Sequence, residues 1–279
     1  MNRATVIAVI LVMLAISCSK TKIYTDASKT SIGLYEIAIE GGLNTFNKKQ
    51  FIRLRKPAIY PNKAVQPATQ AMVSISDGLN KVLFQETDTP GVYSGLINDN
   101  QNYEQPYTLT VYYNKIRYVA FDTLKKVSSF NKNDLPFYVQ KLTNGQVKLN
   151  IPKHTFNSVT SSKWFIEYPG KIKWEPGFSK NLDYSYSYQK GSPNTLYPGI
   201  QKITSIVLNP GDTVRVYKFS LSDVYSNYLY NVFQETDFKN IFSSTPGKIY
   251  GNVSDNGLGF FSTTDVTIKQ FLAADLVNQ

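Results

Sequence analysis

Residues 107–121 read YTLTVYYNKIRYVAF. Tyr107, Leu109 and Val111 fall at every second position, Asn114-Lys115 supplies a tight turn, and Ile116, Tyr118 and Ala120 resume the alternation. Successive side chains leave a strand on opposite faces, so a period of two marks a half-buried strand. The stretch predicts a β-hairpin with one buried face.

The same pattern runs upstream. Tyr35, Ile37 and Ile39 alternate with Glu36, Ala38 and Glu40 before Gly41-Gly42, which reads as the end of the run. Ile52 and Leu54 form a second face, and Ala71, Val73 and Ile75 a third before the turn at Asp77-Gly78. Lys81 to Glu86 is a further strand, and Thr89-Pro90-Gly91 turns the chain into Val92-Tyr93. Short strands separated by turn residues are best satisfied by two sheets burying each other's apolar faces. Residues 31–127 are therefore expected to form an N-terminal β-sandwich of prealbumin- or Ig-like type.

Downstream, Lys125 to Asn133 is mostly polar and reads as an exposed domain boundary. Strands resume at Phe137 to Leu142. Asn144-Gly145, a dipeptide suited to a type I′ turn, leads into Val147, Leu149 and Ile151. Trp164, Ile166 and Tyr168 share a face up to Pro169-Gly170, and Lys171 to Ile200 reads as an ordered loop with at most short strands. Ile203 to Leu208 and Thr213 to Phe219 restore the sheet, and Phe260 to Phe271 looks extended.

One segment changes period. Leu221, Val224, Tyr225, Tyr228, Leu229 and Val232 lie at helical spacing, with Ser220 and Asp223 as a capping-box-like start. Residues 128–279 are thus expected to form a C-terminal β-rich domain with one amphipathic helix near 221–236. The fold class expected for the whole chain is mainly β, with two β-sandwich domains.

The first eighteen residues carry a different signal. Arg3 is followed by an apolar run from Ala4 to Ile16, interrupted by Thr5 and too short to span a bilayer as an ordinary helix. Ala15-Ile16-Ser17-Cys18 then places small residues before the single cysteine of the chain. Residues 1–17 are expected to be a signal peptide, with Cys18 the lipid-attachment site. Residues 18–30, rich in Ser, Thr and Lys, are expected to be the lipidated tether. A lone cysteine leaves no intrachain disulfide.

Thirty Lys and Arg against twenty Asp and Glu give a formal charge of +10, but only five of the basic residues are arginine and the lysines are dispersed. That pattern is a solvated surface beside, at most, anionic lipid; nucleic-acid binders concentrate their basic residues on one face. No nucleic acid is expected as a partner.

In order and spacing the chain resembles the Bacteroidota lipoproteins of the domain of unknown function 4249 family. The resemblance rests on Tyr35 to Gly41, Ala71 to Gly78, Pro90-Gly91-Val92-Tyr93 and Tyr107 to Val111 in the first part. In the second part it rests on the helix from Leu221, on Gly251-Asn252-Val253 and on Gly257-Leu258-Gly259-Phe260-Phe261. It implies acylation (palmitate) of Cys18, an outer-membrane location and association with a TonB-dependent receptor. It implies no catalytic residues.

The residues themselves do not suggest an enzyme. His154 is the single histidine and is expected at the surface or in a loop, so Cys/His metal sites and His-dependent triads lack support. Glu167 and Glu175 carry no specific spacing, no phosphate- or dinucleotide-binding glycine pattern occurs, and no cofactor is expected. The aromatic loop is the candidate contact site. Trp164, Trp174, Tyr184, Tyr186 and Tyr188 cluster in sequence, with Tyr184, Tyr186 and Tyr188 on one face of a strand and Ser185 and Ser187 opposite. Such rings suit sugars or a partner's apolar patch, or else cap the second sandwich.

Three functions fit. The leading one is a non-enzymatic outer-membrane accessory lipoprotein that binds a TonB-dependent transporter or its ligand. The second is a fimbrillin-like structural subunit with Thr264 to Leu272 as the strand donated to a neighbour. The third is a surface glycan-binding protein. Periplasmic and surface-facing orientations are both compatible with Lys20-Thr21-Lys22.

Overall fold

Alternating side chains become strands along most of the chain. The structure, a computed structural model, describes residues 35–57, 64–98, 101–171, 173–175, 177–178, 182–189, 202–236, 249–254 and 256–277. The lipid-attachment candidate Cys18 and its tether lie outside them, as do residues 190–201 of the aromatic loop.

Seven strands open the fold: β1 (Ile37–Asn44), β2 (Lys49–Arg55), β3 (Met72–Ser76), β4 (Lys81–Glu86), β5 (Val92–Leu96), β6 (Pro106–Tyr113) and β7 (Ile116–Thr123). The β6–β7 hairpin closes through Asn114 and Lys115, both at positive φ (50° and 66°), as a type I′ turn requires. A 3₁₀ turn (Lys132–Asp134) leads to β8 (Tyr138–Lys141), β9 (Val147–Pro152), β10 (His154–Thr155), β11 (Ser162–Glu167), β12 (Ser185–Ser187), β13 (Ile203–Leu208) and β14 (Thr213–Ser220). The helix α1 (Asp223–Thr236), β15 (Gly257–Thr264), β16 (Val266–Leu272) and the short α2 (Ala273–Leu276) follow. The protein is mainly β.

The first sheet runs β15-β1-β2-β5-β4-β3-β6-β7. Its two ends approach each other: Ala120 bridges Val253, and the Asn252 amide donates to Phe121 O and Phe261 O at 2.8 and 2.7 Å. The folded-back sheet encloses one core that includes Ile39, Leu54, Ile75, Leu109, Tyr118 and Phe261. The remaining strands form a five-stranded sheet, β10-β12-β11-β14-β16, and a three-stranded one, β13-β9-β8. These share a second core of Val147, Leu149, Trp164, Ile166, Val214 and Val216, as the inner faces of a sandwich do.

Several expectations need correction. The first is that residues 128–279 stand apart from the first sandwich. Instead β15 lies parallel to β1 along its whole length, from Ile37↔Gly257 to Asn44↔Thr264, inside the first sheet. A parallel partner so distant in sequence leaves no local signature. β1 also runs on through Gly41-Gly42 to Asn44, because a side chain at 42 would collide with Ser262 O at 2.0 Å and glycine alone lets β15 approach. The extended run Phe260 to Phe271 is split by Asp265 between two sheets.

At Asn144-Gly145 only Gly145 has positive φ (80°). The loop is a three-residue turn, with Gly145 N donating to Leu142 O at 3.0 Å and Leu142 N to Gln146 O at 2.8 Å. The polar linker is exposed along much of its length, at Lys126, Ser128, Ser129, Asn131 and Asn133, but it is also anchored: Leu124 before it and Phe130 within it are buried, and Val127 N donates to Asp265 Oδ2 at 2.9 Å.

The helix cap is Ser222, not Ser220: its Oγ accepts from Tyr225 N at 3.0 Å. The buried face is rotated from the expected stripe. Val224 is 59% exposed, whereas Phe233 and Ser226 are buried. Leu221 of the expected stripe is buried, and Tyr225 and Tyr228 lie on Phe260 of β15, with centroids 4.9 and 4.7 Å away, rather than against the second sheet. Rotation follows from the start point, since Ser222 also reaches the buried Asp122 carboxylate of β7. Removing a capping hydroxyl costs about 1 kcal/mol. Ser222→Ala is therefore expected to lower the melting temperature by a few degrees, measured by circular dichroism, with Ser222→Thr, which keeps the hydroxyl, restoring most of the loss.

Candidate ligand-binding cleft

The sequence of β11 sorts its own side chains. Trp164 and Ile166 enter the second core, so Lys163 and Phe165 must face the other way. Antiparallel pairing sets Phe219 beside Lys163 and Tyr217 beside Phe165 on that outer face. Tyr186 of β12 is opposite Lys163 on the other flank.

A loop covers part of this face. Trp174 packs its ring 5.3 Å from Phe219 and 5.6 Å from Tyr217, and its Nε1 donates to Tyr184 Oη at 2.9 Å. Phe46, just beyond β1, closes on Trp174 edge-on at 5.4 Å. β1 and β15 of the first sheet form one wall of a cleft, β11, β12 and β14 another, and Tyr225, Tyr228 and Leu229 of α1 a third. The enclosed volume is about 540 Å³, within the roughly 300–1,000 Å³ typical of small-ligand sites.

The expected contact residues divide. Trp174, Tyr184 and Tyr186 line the cleft. Trp164 points into the second core, with Nε1 donating to Ser187 Oγ at 2.8 Å and its ring edge-on to Phe130. Tyr188 is buried, 5.9 Å from the ring of His154. The division of faces in 184–188 is as expected: tyrosines on one side, Ser185 and Ser187 buried on the other.

His154 is the clearest correction. It is 5% exposed, tilted 3.9 Å from Phe233 and stacked on Tyr186 at 5.7 Å, with Nδ1 3.4 Å from Tyr188 Oη. A flat, weakly polar ring that finds a hydroxyl partner can be buried among aromatics; polar neighbours in sequence do not reveal that. Glu167 is committed to Arg215 and to the Tyr217 hydroxyl, each at 3.0 Å, and Glu175 stands apart from it in the cleft wall. Among the described residues no three His, Cys, Asp or Glu side chains gather as a metal-ligand set, and no helix is long and apolar enough to cross a membrane.

Sequence reading missed Lys163. Its ammonium lies 4.5 Å from the Tyr184 ring centroid and 4.9 Å from that of Phe219. Among the described residues no carboxylate comes within ion-pair distance of it. Burial pulls its pKa down to about 8. The available signal was the face shared by Lys163 and Phe165, a charge and a large ring side by side, which marks an outer face only partly in water. At the rim, Glu40 is held by Arg53 and, at 3.9 Å, by Arg55, while the Arg53 guanidinium stacks 4.2 Å from Phe178. Burial raises the Tyr184 and Tyr228 phenols above their ordinary range, and that of Tyr225 further still.

No family model matches the chain, and no curated protein matches it. Among solved structures it is similar to the crystal structure of chicken CNTN1 FN1-FN3 domains, at 11% identity and a TM-score of 0.26. That likeness covers 65% of this chain and 60% of the other.

Proposed function

We propose that this protein is a non-enzymatic, lipid-anchored accessory protein of the outer membrane. It belongs with the Bacteroidota lipoproteins that it resembles and serves a TonB-dependent transporter by holding that transporter's ligand. The cleft carries this reading. Aromatic rings from three walls meet there around the Lys163 ammonium, with polar side chains such as Asn44, Glu175 and Ser262 between them, a mixed lining that suits holding a small ligand. The signal-like segment ending at Cys18 supports attachment through acyl chains on that residue.

The fimbrillin-like alternative is less favoured for a specific reason. Its donor strand, Thr264 to Leu272, is occupied within the chain: β16 pairs with β14 from Thr213↔Leu272 to Phe219↔Val266.

Cys18→Ser is expected to abolish acylation, checked by labelling with an alkynyl fatty acid, and to shift the protein from the membrane pellet to the soluble fraction after a carbonate wash. Acylation or pelleting unchanged in the variant rejects the anchor. Affinity purification from detergent-solubilised membranes is expected to recover an outer-membrane transporter with the wild-type chain; recovery of none rejects the accessory role.

A further inference from the structure

The half-buried Lys163 ammonium stands in the cleft with no carboxylate among the described residues within ion-pair distance. Elsewhere the protein pairs charges that approach each other, as with Arg53 and Glu40 or Arg215 and Glu167. Among the described residues Lys163 meets the faces of Tyr184 and Phe219, which stabilise a cation weakly beside a charge partner. An incoming anion would complete it. The rings around it are not a uniform apolar lining, because Asn44, Glu175 and Ser262 stand among them. A purely apolar ligand would strip water from those groups and return no hydrogen bond. A sugar ring offers C–H groups on its faces and hydroxyls at its edge, which suits tyrosine rings interleaved with polar side chains.

We propose that the cleft binds an acidic saccharide, with its carboxylate on the Lys163 ammonium and its ring against the tyrosines of β12 and α1. This rests on the reading of the cleft as a binding site, and it names the ligand class.

The test is isothermal titration of the full-length chain in non-ionic detergent with digalacturonic acid and with its uncharged counterpart, galactobiose. Digalacturonic acid is expected to bind the tighter by about tenfold or more, as a charge-assisted pair adds about 1.5–3 kcal/mol. Lys163→Met should abolish that preference and leave the weaker affinity for galactobiose in place. Melting of the variant should not fall, since a desolvated charge has been removed.

A pH series on the wild type tests the same point without a variant. The pKa of Lys163 is depressed, so the free protein loses this proton above pH about 8 while a carboxylate favours the charged form. Binding should therefore take up protons above pH 8, with digalacturonate affinity falling there and galactobiose affinity flat. The other groups facing Lys163 differ in range or position. Tyr184, Tyr225 and Tyr228 are raised, Tyr186 and Glu175 line the walls, Glu40 is paired at the rim, and Lys171 lies over Phe165.

Equal affinity for the two disaccharides, an unchanged preference in Lys163→Met, or binding of neither at about 10 mM overturns the proposal. Transporter recovery with no saccharide binding would reject the ligand class alone. Saccharide binding without transporter recovery would support it while rejecting the accessory role.

Discussion

Replacing Gly259 with alanine is expected to cost about 4 kcal/mol and to lower the melting temperature by about 10 °C, if the protein folds at all. Gly259 lies in β15 at φ +98°, where a Cβ is strained even in open space. The space is not open. An added methyl would stand 1.9 Å from Ile39 O and 2.9 Å from Ile39 C, backbone atoms of the same sheet and not the end of a flexible side chain. Relief requires β15 to separate from β1, which uncovers part of the first core. Gly211 supplies the control, because an alanine there meets nothing within 4 Å and no positive φ is needed. Gly211→Ala should leave stability unchanged or raise it by about 0.4–1 kcal/mol. Thermal melts of the two variants side by side decide the matter, and similar curves would show that β15 can shift without cost.

The second large effect is expected at Asp265, between β15 and β16. Its Oδ1 accepts from Thr45 Oγ1 at 2.6 Å and from Tyr103 Oη at 3.2 Å, both in the first unit, and Oδ2 accepts from Val127 N in the linker. Its backbone N donates to Ser220 Oγ at 2.8 Å, in the second. One buried residue thus ties two sandwiches and the segment between them, its carboxylate holding the first unit and the linker and its backbone the second. Asp265→Ala leaves these donors facing a small cavity. At about 1–3 kcal/mol for each buried group left unsatisfied, less what rotation of Thr45 and Tyr103 recovers, the loss should be about 3–5 kcal/mol. Asp265→Asn keeps the shape but turns an amide toward one of the donors, so an intermediate loss is expected. Val127 also loses its anchor, so trypsin should cut near Lys125-Lys126 sooner than in wild type. Unchanged melting and unchanged cleavage together would show that the knot is incidental.

These sites mark where sequence reading stopped. The strands were legible because alternation is local: Lys81 to Glu86 and Ile203 to Leu208 have the limits expected of them. Their assembly was not. Gly257-Leu258-Gly259 carries no sign that it pairs with Ile37 to Ile39, since parallel pairing depends on backbone approach more than on matched side chains. The helix was found by its period, yet its face turned because Ser222 caps it and Phe233 reaches His154 across the sheet. The aromatic loop pointed to the region where the cleft lies. Nothing local separated Trp174, which lines the cleft, from Trp164, which fills a core; strand parity and the partner sheet decide that. Lys163 escaped notice because a lysine in a strand usually faces water.

The pairing of β1 with β15 also governs when the first unit can be finished. Ile37 waits for Gly257, roughly 220 positions away. For the chain expressed in the cytosol without its signal segment, at synthesis rates of about 5–20 residues per second, that interval lasts on the order of ten to forty seconds. Through it, one edge of β1 presents unpaired amides and carbonyls beside an incomplete core, a ready template for a strand from another chain. Loop closure over such a separation is also slow, because its entropy is lost before any contact is gained. Yield on expression should therefore depend less on how well β1 to β7 fold than on how promptly Gly257–Thr264 arrives to seal them.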